Sequence, residues 1–508
     1  LANGMDKINM DIKKIEDDTE LLLTSIKLDN KNNEYLVPIG IGNINNEQVN
    51  EKYLSDDSVL KFKYVSKYTD LSGGLVLQLN KDDSSRIIID EFNLLDNISK
   101  EEFNTAISAI TIWCQTILLA TNIDYLPGKE YSHQEEPYKK PKELILTAGP
   151  LVSHFENIYT HDAVNNGWNT EWSKYLDKFE ANFSDFIGSK YALSTSSCTG
   201  ALFLSLLACG IEKGDEVILP ELTWVATASA VRYTGATPVF ADVDLKTWCL
   251  DTQHLENLLT ERTKAIMPVH LYGNPSDMKT IMEFAKKHNL KVIEDAAPAI
   301  GATYDDKKVG SFGDFGCFSF QGAKLLVTGE GGMVVTDNED LFSKFKKLWD
   351  HGRTPGTFWI DELGYKFKMS NLQAAFGLGQ LENIDLLIEA KKRNYQRYRN
   401  NLSSLDNITL NEAGENTESI YWMTSLLLNP HLDIKRDELA QELREAQIDT
   451  RPVFPSISQY PIWEKKYEEN KNSKIIAENA LNLPSGVGLS SNEIDYISDT
   501  LIRILQKS

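Results

Sequence analysis

The chain has 508 residues, more than one hydrophobic core usually supports, so two or three domains are expected. Its formal net charge of -22 at pH 7 argues against nucleic acids and anionic membranes as partners, because both select basic patches. The five cysteines include no C-x-x-C pair, which argues against a metal site or a disulfide framework. With no apolar run of membrane length, the sequence predicts a cytoplasmic protein without a bound metal.

Residues 1–130 are predicted to form a small α+β domain. A segment from Ser99 to Thr121 carries apolar residues at helical spacing, and it follows short runs of strand character. These runs are Glu20 to Leu28, Tyr35 to Ile41, Val59 to Val65 and Gly74 to Leu79. No catalytic constellation occurs here, so an interaction module and a degenerate enzyme domain are equal alternatives. Residues 131–145 are charged and contain proline, and we interpret them as a linker.

From residue 146 onward, helical and strand patterns alternate. SSCTGALFLSLLACG, TWVATASAVRYTG and MKTIMEFAKKHN indicate helices, whereas EVILP, TPVFADVD, KAIMPVHLY and KVIED indicate strands. Such alternation predicts an α/β fold with a largely parallel sheet covered by helices. We expect a large domain over residues 146–383. Amphipathic stretches such as Leu386 to Leu402 predict a smaller α/β domain over residues 384–508.

One lysine stands in an unusual sequence context. The stretch Phe318 to Val335, FSFQGAKLLVTGEGGMVV, resembles buried strand and glycine turn, and Lys324 lies in the middle of it. A solvated lysine normally has polar neighbours. Lys324 therefore either reaches the surface or is held inside the protein for chemistry.

Several other residues could contribute to a site, and each has a simpler explanation. Asp295 ends the strand KVIED, where sheets of this kind bind ligands, but on position alone an ordinary strand-end carboxylate is the better explanation. Thr199 and Gly200 open a helix whose free N–H groups favour an anion, although a plain N-cap also explains the sequence. Trp224, predicted to begin the next helix, is more simply a core aromatic. Ser319 is equally well a buried strand hydroxyl.

Together these residues indicate one ligand that has a phosphate, a flat ring and a ring nitrogen, held beside a reactive amine. Pyridoxal 5'-phosphate has these groups, since its aldehyde forms a Schiff base with a lysine and its ring nitrogen needs an acidic partner. Lys324 is then the candidate Schiff-base lysine.

Longer runs of the sequence carry a more specific resemblance. VIEDAAPAIGA, followed by KVGSFGDFGCFSFQGAKLLVTGEGGMVVT, resembles the core of the DegT family of nucleotide-sugar aminotransferases, which are pyridoxal phosphate enzymes of fold type I. GDEVILPELTWVATASAVRYTGATPVFADVD, PVHLYGNPSDM, GYKFKMSNLQAAFGLGQLE, RPVFPS and LNLPSG occur in the family's order. The resemblance extends from about Leu146 to the end of the chain and implies an aspartate-aminotransferase-like fold.

The resemblance also implies roles for individual residues. Lys324 would hold the cofactor and later move protons, Asp295 would pair with the ring nitrogen, and Trp224 would stack on the ring. Apolar neighbours would lower the pKa of Lys324, and this favours the unprotonated amine that proton transfer needs.

The phosphate would be held by Thr199, Gly200 and Ser319. Family members act as homodimers in which a segment like Gly364 to Met369 reaches the partner's cofactor. This chain has Lys366 where asparagine is common, and a lysine can still meet a phosphate as a point charge. Pro298 is a second departure, because proline lacks the side-chain hydrogen bond that glutamine or histidine offers the ring oxygen.

The implied reaction moves an amino group from an amino acid, L-glutamate in much of the family, to a nucleotide-linked ketosugar. NNGWNTEWSKYLDKFE, GYKFKMSN and RPVFPS are most similar to perosamine synthase-like members, which act on GDP-4-keto-6-deoxymannose in the biosynthesis of surface polysaccharides such as the lipopolysaccharide O-antigen. The spacing of residues in the sequence does not by itself show whether the sugar is linked to GDP, UDP or dTDP.

Two alternatives remain at this point. Some relatives dehydrate or deoxygenate sugars on the same fold, and in the deoxygenating relatives a histidine replaces the Schiff-base lysine, so Lys324 favours transamination. The other alternative is a non-catalytic sensor or scaffold, which the joint retention of Lys324, Asp295 and Trp224 argues against.

Overall fold

The computed structural model describes residues 140–507, apart from residue 355, and six strands between residues 7 and 91. The chain divides into two compact units: one contains Leu1–Glu130, Leu151–Ile158 and Gly488–Asn492, and the other contains Tyr131–Pro150, Tyr159–Val487 and Glu493–Ser508. The helix predicted from Ser99 to Thr121 lies outside the described residues. None of the described helices combines the length and the apolar character needed to cross a membrane.

The six strands of the amino-terminal part form two antiparallel sheets of three. The first sheet has the order β1 (Lys7–Lys14), β2 (Leu21–Asn30), β3 (Asn33–Val37), and the second has the order β4 (Val59–Val65), β5 (Ser72–Gln78), β6 (Arg86–Glu91). Each of the four strand runs expected from the sequence overlaps one of these strands.

A seven-stranded sheet forms the centre of the second unit. Its strands in chain order are β7 (Tyr191–Thr195), β8 (Glu216–Pro220), β9 (Thr237–Ala241), β10 (Thr263–Ile266), β11 (Lys291–Asp295), β14 (Phe315–Ser319) and β15 (Gly332–Thr336). Their order in the sheet is β7-β15-β14-β11-β10-β8-β9. Only the pairs β14–β15 and β15–β7 are antiparallel. The large, mostly parallel α/β sheet predicted from the alternating pattern is confirmed.

Helices precede and connect these strands: α1 (His154–Asn166), α2 (Lys174–Ile187), α3 (Cys198–Ala208), α4 (Ala226–Tyr233), α5 (Met278–His288), α6 (Glu339–Trp349) and α7 (Asn371–Glu382). Helix α3 is apolar on nearly all sides and almost completely buried, as expected for a helix packed between layers. Its N-cap is Ser197, whose Oγ accepts the Gly200 N–H at 3.1 Å. The chain leaves the helix through Gly210, whose φ of 82° suits glycine.

The strand expected over KAIMPVHLY is shorter than predicted. β10 ends at Ile266, two residues before Pro268, which has no N–H for a sheet ladder. A short 3-10 helix, Leu271–Gly273, follows, and Tyr272 within it has a φ of 53°. The turn brings this segment to the carboxyl end of β11, where the His270 N–H donates to the Asp295 carbonyl oxygen at 3.1 Å.

The remaining elements of the second unit are smaller. A four-stranded antiparallel sheet has the order β16 (Ile408–Leu410), β18 (Ser425–Leu428), β20 (Ala480–Asn482), β19 (Arg451–Pro452), and a three-stranded sheet joins β13 (Lys307–Lys308), β12 (Thr303–Tyr304) and β17 (Thr417–Glu418). The helices here are α8 (Ile384–Asn401), α9 (Arg436–Glu445), α10 (Lys471–Asn479) and α11 (Ser491–Leu505). Ile145, the last residue of the predicted linker, is buried and pairs with Ile448.

Aromatic side chains link α2 to the end of β14. Phe183 contacts Phe318 and Phe320 with ring centroids 5.0 and 5.5 Å apart, and Phe179 lies 5.2 Å from Phe320. All four rings are fully buried. Tilted and edge-on rings at these distances stabilise the contact beyond simple burial. The packing holds the strand that leads to Lys324 against the rest of the unit.

Gly316 in β14 packs directly against the backbone of Gly310. A Cβ at this position would overlap the Gly310 carbonyl oxygen, so Gly316→Ala is expected to lower the free energy of unfolding by about 1–3 kcal/mol. A Cβ at Gly149 would meet no atom within 4 Å, which makes Gly149→Ala the matched control. Urea denaturation of both variants measures the difference, and equal stability of the two would contradict the close approach of Gly316 to Gly310.

Candidate active site

Lys324 lies in the connection between β14 and β15, which folds back on itself. The Phe320 N–H donates to the Gly331 carbonyl and the Gly322 N–H to the Gly329 carbonyl, both at 3.0 Å. Gly329 and Gly331 have φ values of 82° and 153°, which side-chain-bearing residues rarely adopt. The glycine-rich sequence therefore forms a compact loop that fixes the backbone around Lys324.

The amine of Lys324 is surrounded by protein although the residue as a whole is only partly buried. Its Nζ lies 3.8 Å from the centre of the Trp422 ring, a cation–π distance. Burial lowers the pKa of Lys324 to about 8, while the nearby Asp295 carboxylate and the Cys198 thiol act in the opposite direction. The direction expected from the apolar sequence context is confirmed.

Asp295 is buried at the carboxyl end of β11. The Thr227 hydroxyl donates to one carboxylate oxygen at 2.7 Å, and the Ala297 N–H donates to the other at 3.2 Å. Burial raises the pKa of Asp295, whereas these two hydrogen bonds and the charge of Lys324 lower it. The structure thus brings Lys324 and Asp295 into one electrostatic environment.

Glu294, a second buried carboxylate, stabilises the same strand from its opposite face. The Glu294 carboxylate accepts three backbone N–H bonds of 2.7 Å, from Gly310, Phe312 and Gly313. His270 Nε2 lies 3.1 Å from Glu294, and His270 Nδ1 accepts the Ser276 N–H at 3.0 Å. Since Nδ1 accepts, Nε2 carries the proton and donates to Glu294. This network, which the sequence did not reveal, fixes the loops on both sides of Asp295.

The residues predicted to bind the phosphate have backbones that lie close to one another. β14 and β15 pair Ser319 with Gly332, and a Cβ at Gly332 would lie 2.7 Å from the Cys198 N atom at the start of α3. Ser319 therefore lies beside the helix that carries Thr199 and Gly200. The Gly200 N–H is already donated to Ser197, so the free N–H groups of this helix start are those before it.

Trp224 differs from its predicted position. It precedes α4 instead of beginning it, and 56% of its surface is exposed, so it is not a core residue. Its ring lies 5.6 Å from that of Phe454. Phe454 stacks on Tyr272 at 5.5 Å, and Tyr272 stacks on Trp422 at 5.9 Å. A continuous series of rings therefore joins Trp224 to the ring above the Lys324 amine.

Two positions, Lys366 and Pro298, depart from the family pattern. Lys366 is more than half exposed, and its Nζ is 3.4 Å from a carboxylate oxygen of Asp350. Asp350 also binds Lys368 at 3.0 Å and Arg353 at 2.5 Å, and these cations hold the pKa of its carboxyl at about 2 against the effect of burial. Pro298 is buried in the turn after β11.

These residues fit pyridoxal 5'-phosphate. A buried carboxylate, a buried amine of lowered pKa and a helix start with unpaired N–H groups supply the partners that its ring nitrogen, aldehyde and phosphate need. Thr227, His270 and Trp422 were missed by sequence reasoning. Thr227 follows Trp224 by three positions, a helical spacing that could have drawn attention to it, whereas Trp422 lies far from the other residues in sequence. No group of His, Cys, Asp and Glu within the described residues could hold a metal ion.

The chain is similar to proteins of one aminotransferase family. Residues 152–502 match the DegT/DnrJ/EryC1/StrS aminotransferase family. The GDP-perosamine synthase of Caulobacter vibrioides is 40% identical over 364 residues, which cover 71% of this chain and 98% of that protein. The GDP-perosamine synthase of Escherichia coli O157:H7 is 39% identical over 353 residues, which cover 69% and 96%. PseC from Helicobacter pylori, described as an aminotransferase involved in the biosynthesis of pseudoaminic acid, has a TM-score of 0.67 at 25% identity and covers 72% of this chain and 100% of that one.

The Lys324 amine is expected to titrate near pH 8, about two units below an ordinary lysine. Because only the neutral amine reacts, labelling of Lys324 by an amine-reactive reagent in the cofactor-free protein should rise as the pH increases through 8 and then level off. Asp295→Asn removes a charge that stabilises the ammonium form, so it should move this midpoint to lower pH. Mass spectrometry of the Lys324 peptide, with the exposed Lys474 as an internal reference, measures both. A midpoint near 10 would mean that the amine is solvated.

Proposed function

The chain belongs to the DegT/DnrJ/EryC1/StrS aminotransferase family, and from this premise we propose that it aminates a GDP-linked 4-keto-6-deoxyhexose. It is a pyridoxal-phosphate-dependent aminotransferase that acts on a nucleotide-linked ketosugar. The observation that carries the assignment of amino transfer is the Lys324 amine, which is surrounded by protein, has a lowered pKa and interacts electrostatically with the buried Asp295 carboxylate. An amine of this kind is partly unprotonated near neutral pH, as proton transfer requires.

We assign roles to the site residues as follows. Bound pyridoxal phosphate supplies an electron-withdrawing ring that stabilises negative charge on the substrate carbon. Lys324 holds the cofactor and moves the proton. Asp295, oriented by Thr227, pairs with the ring nitrogen, and Trp224 covers one face of the ring, which its exposed position supports.

The phosphate partners in this proposal are Thr199, Gly200 and Ser319, supported by their position around the start of α3. For Gly200 the contact is limited to close backbone approach, because its N–H is donated to Ser197. A Cβ at Gly200 would also lie 3.2 Å from the Phe367 ring, so glycine suits this crowded position.

The proposed acceptor is GDP-4-keto-6-deoxymannose, and the proposed donor is L-glutamate. Both relatives described above are GDP-perosamine synthases, at 40% and 39% identity over nearly their whole length. The product would then be GDP-perosamine, used in the biosynthesis of a surface polysaccharide such as the O-antigen.

The proposed assembly is a homodimer with shared active sites. Phe358 is 96% exposed, Leu363 87% and Trp359 71%, and a contiguous segment with so many exposed apolar side chains is typical of an interface. The same segment leads into Gly364 to Met369. Lys366 belongs to this segment and is more than half exposed, and we propose that it contacts the phosphate in the partner's site.

We further propose four parts of the chain: a domain of residues 1–130, a linker of residues 131–145, the cofactor-binding domain of residues 146–383 and a small domain of residues 384–508. The fold of the seven-stranded sheet supports the third part and the four-stranded sheet supports the fourth. A cytoplasmic location is proposed because Cys198, Cys209, Cys249 and Cys317 are free thiols.

The visible absorption spectrum tests the proposed activity. The purified protein with pyridoxal phosphate should show a lysine-bound cofactor band that L-glutamate abolishes and GDP-4-keto-6-deoxymannose restores. Lys324→Ala should lack this band, because no amine is left to bind the aldehyde covalently. UDP-linked and dTDP-linked 4-ketosugars should restore the band more slowly.

Faster recovery of the band with a UDP-linked or dTDP-linked sugar would overturn the assignment of the nucleotide. It would not affect the assignment of aminotransferase activity. A wild-type protein without the lysine-bound band would contradict the role of Lys324 itself.

Mixing two inactive variants tests the shared site. If Lys324 and Lys366 of one site come from different subunits, a dimer of Lys324→Ala with Lys366→Glu contains one intact site and one with both changes. Subunit exchange between equal amounts should then restore about a quarter of the wild-type activity. Each variant incubated alone is the control. No recovery after confirmed subunit exchange would show that Lys366 does not serve the partner's site.

A further inference from the structure

Trp422 contacts the catalytic lysine segment in two ways. Its ring lies over the Lys324 amine at 3.8 Å, and its indole N–H donates to the carbonyl oxygen of the neighbouring Ala323 at 2.9 Å. Trp422 is 6% exposed. A single side chain therefore contacts both the reacting amine and the backbone that carries it.

The position of Trp422 allows little adjustment. A Cβ on Gly273 would lie 2.8 Å from the Trp422 N atom, so these two backbones pack in direct contact. The Trp422 ring is stacked on Tyr272 with an angle of 20° between the planes. A shift of the Trp422 backbone would thus be transmitted to the ring above Lys324.

Lys391 on α8 is the side chain that holds the Trp422 carbonyl. It is 4% exposed, and its Nζ donates to the carbonyl oxygens of Trp422, at 2.9 Å, and Ser485. Within residues 140–507, no carboxylate forms an ion pair with it, and burial lowers its pKa to about 7. A neutral amine has two N–H groups, which match the two carbonyl acceptors.

A purely structural role for Lys391 would be to attach α8 to the turn at Ser485. Asn394, one turn further along the helix, already donates to the carbonyl oxygen of the adjacent Gly486 at 2.8 Å. The bond that Lys391 adds beyond this attachment is the one to Trp422. Burying a lysine to form this hydrogen bond costs free energy, since its amine loses hydration.

We propose that Lys391 is a positioning residue for the amino-transfer reaction: its buried amine fixes the Trp422 backbone, and Trp422 in turn fixes the Lys324 amine. This rests on the proposed role of Lys324 as the cofactor lysine. Lys391 touches neither the substrate nor Lys324, so it acts only through Trp422.

The test is the rate at which Lys324 captures pyridoxal phosphate, followed in the full-length, cofactor-stripped protein by its visible band. Lys391→Met should lower the rate constant at least about tenfold, because the reacting amine loses its fixed orientation. Lys392→Met is the matched control, since Lys392 is the next residue on α8 and its partners are the surface carboxylates of Glu389 and Glu418. It should leave the rate unchanged.

A double-mutant cycle separates positioning from a general loss of stability. In the Trp422→Leu background, Lys391→Met should change the rate constant less than about twofold, because the intermediate side chain is gone. Equal effects in both backgrounds would overturn the proposal, as would an unchanged rate in Lys391→Met.

If Lys391→Met does not fold, Trp422→Leu alone tests the proposal. A wild-type rate constant in that variant would overturn the proposal. A tenfold lower rate constant with an unchanged thermal midpoint would support it. Failure of the wild-type protein to form the band would instead refute the role of Lys324, so the two proposals fail differently.

Discussion

Lys324 and Asp295 are an amine and a carboxyl group that interact electrostatically while surrounded by protein, at the carboxyl ends of the central parallel strands. Burial alone would neutralise both, since it lowers the pKa of an amine and raises that of a carboxyl. Their mutual attraction opposes each shift, so the ionisation of one group depends on the presence of the other. The result is an amine with a pKa of about 8, near the pH at which proton transfer is efficient.

Much of the surrounding structure maintains this pair. Two hydrogen bonds hold the Asp295 carboxylate. On the opposite face of the strand, the Glu294 carboxylate accepts hydrogen bonds from three backbone N–H groups and from His270. A buried carboxylate without such partners would be strongly destabilising. Because adjacent strand residues point to opposite faces, Glu294 can stabilise the sheet end without entering the site that Asp295 faces.

The Lys324 side of the pair depends on residues that come much later in the chain. Trp422 covers the amine, Phe454 joins the series of rings that reaches Trp224, and Lys391 supports the Trp422 backbone. Aromatic surfaces exclude water from the amine and still favour its charged form through the ring face. Residues of the proposed small domain therefore contact the Lys324 amine and the backbone next to it.

The sequence by itself determined the parts that depend on local physics. Alternating strand and helix patterns gave the parallel sheet, and Asp295 was placed at a strand end from the run KVIED alone. The apolar neighbours of Lys324 indicated the direction of its pKa shift, because burial acts on any amine in such surroundings. Only the tertiary structure decided which distant side chains complete the site: Trp422 meets Lys324 across 98 positions of the chain, and Lys391 in turn binds the Trp422 carbonyl. No periodicity encodes such contacts, since they arise where separate elements happen to pack together.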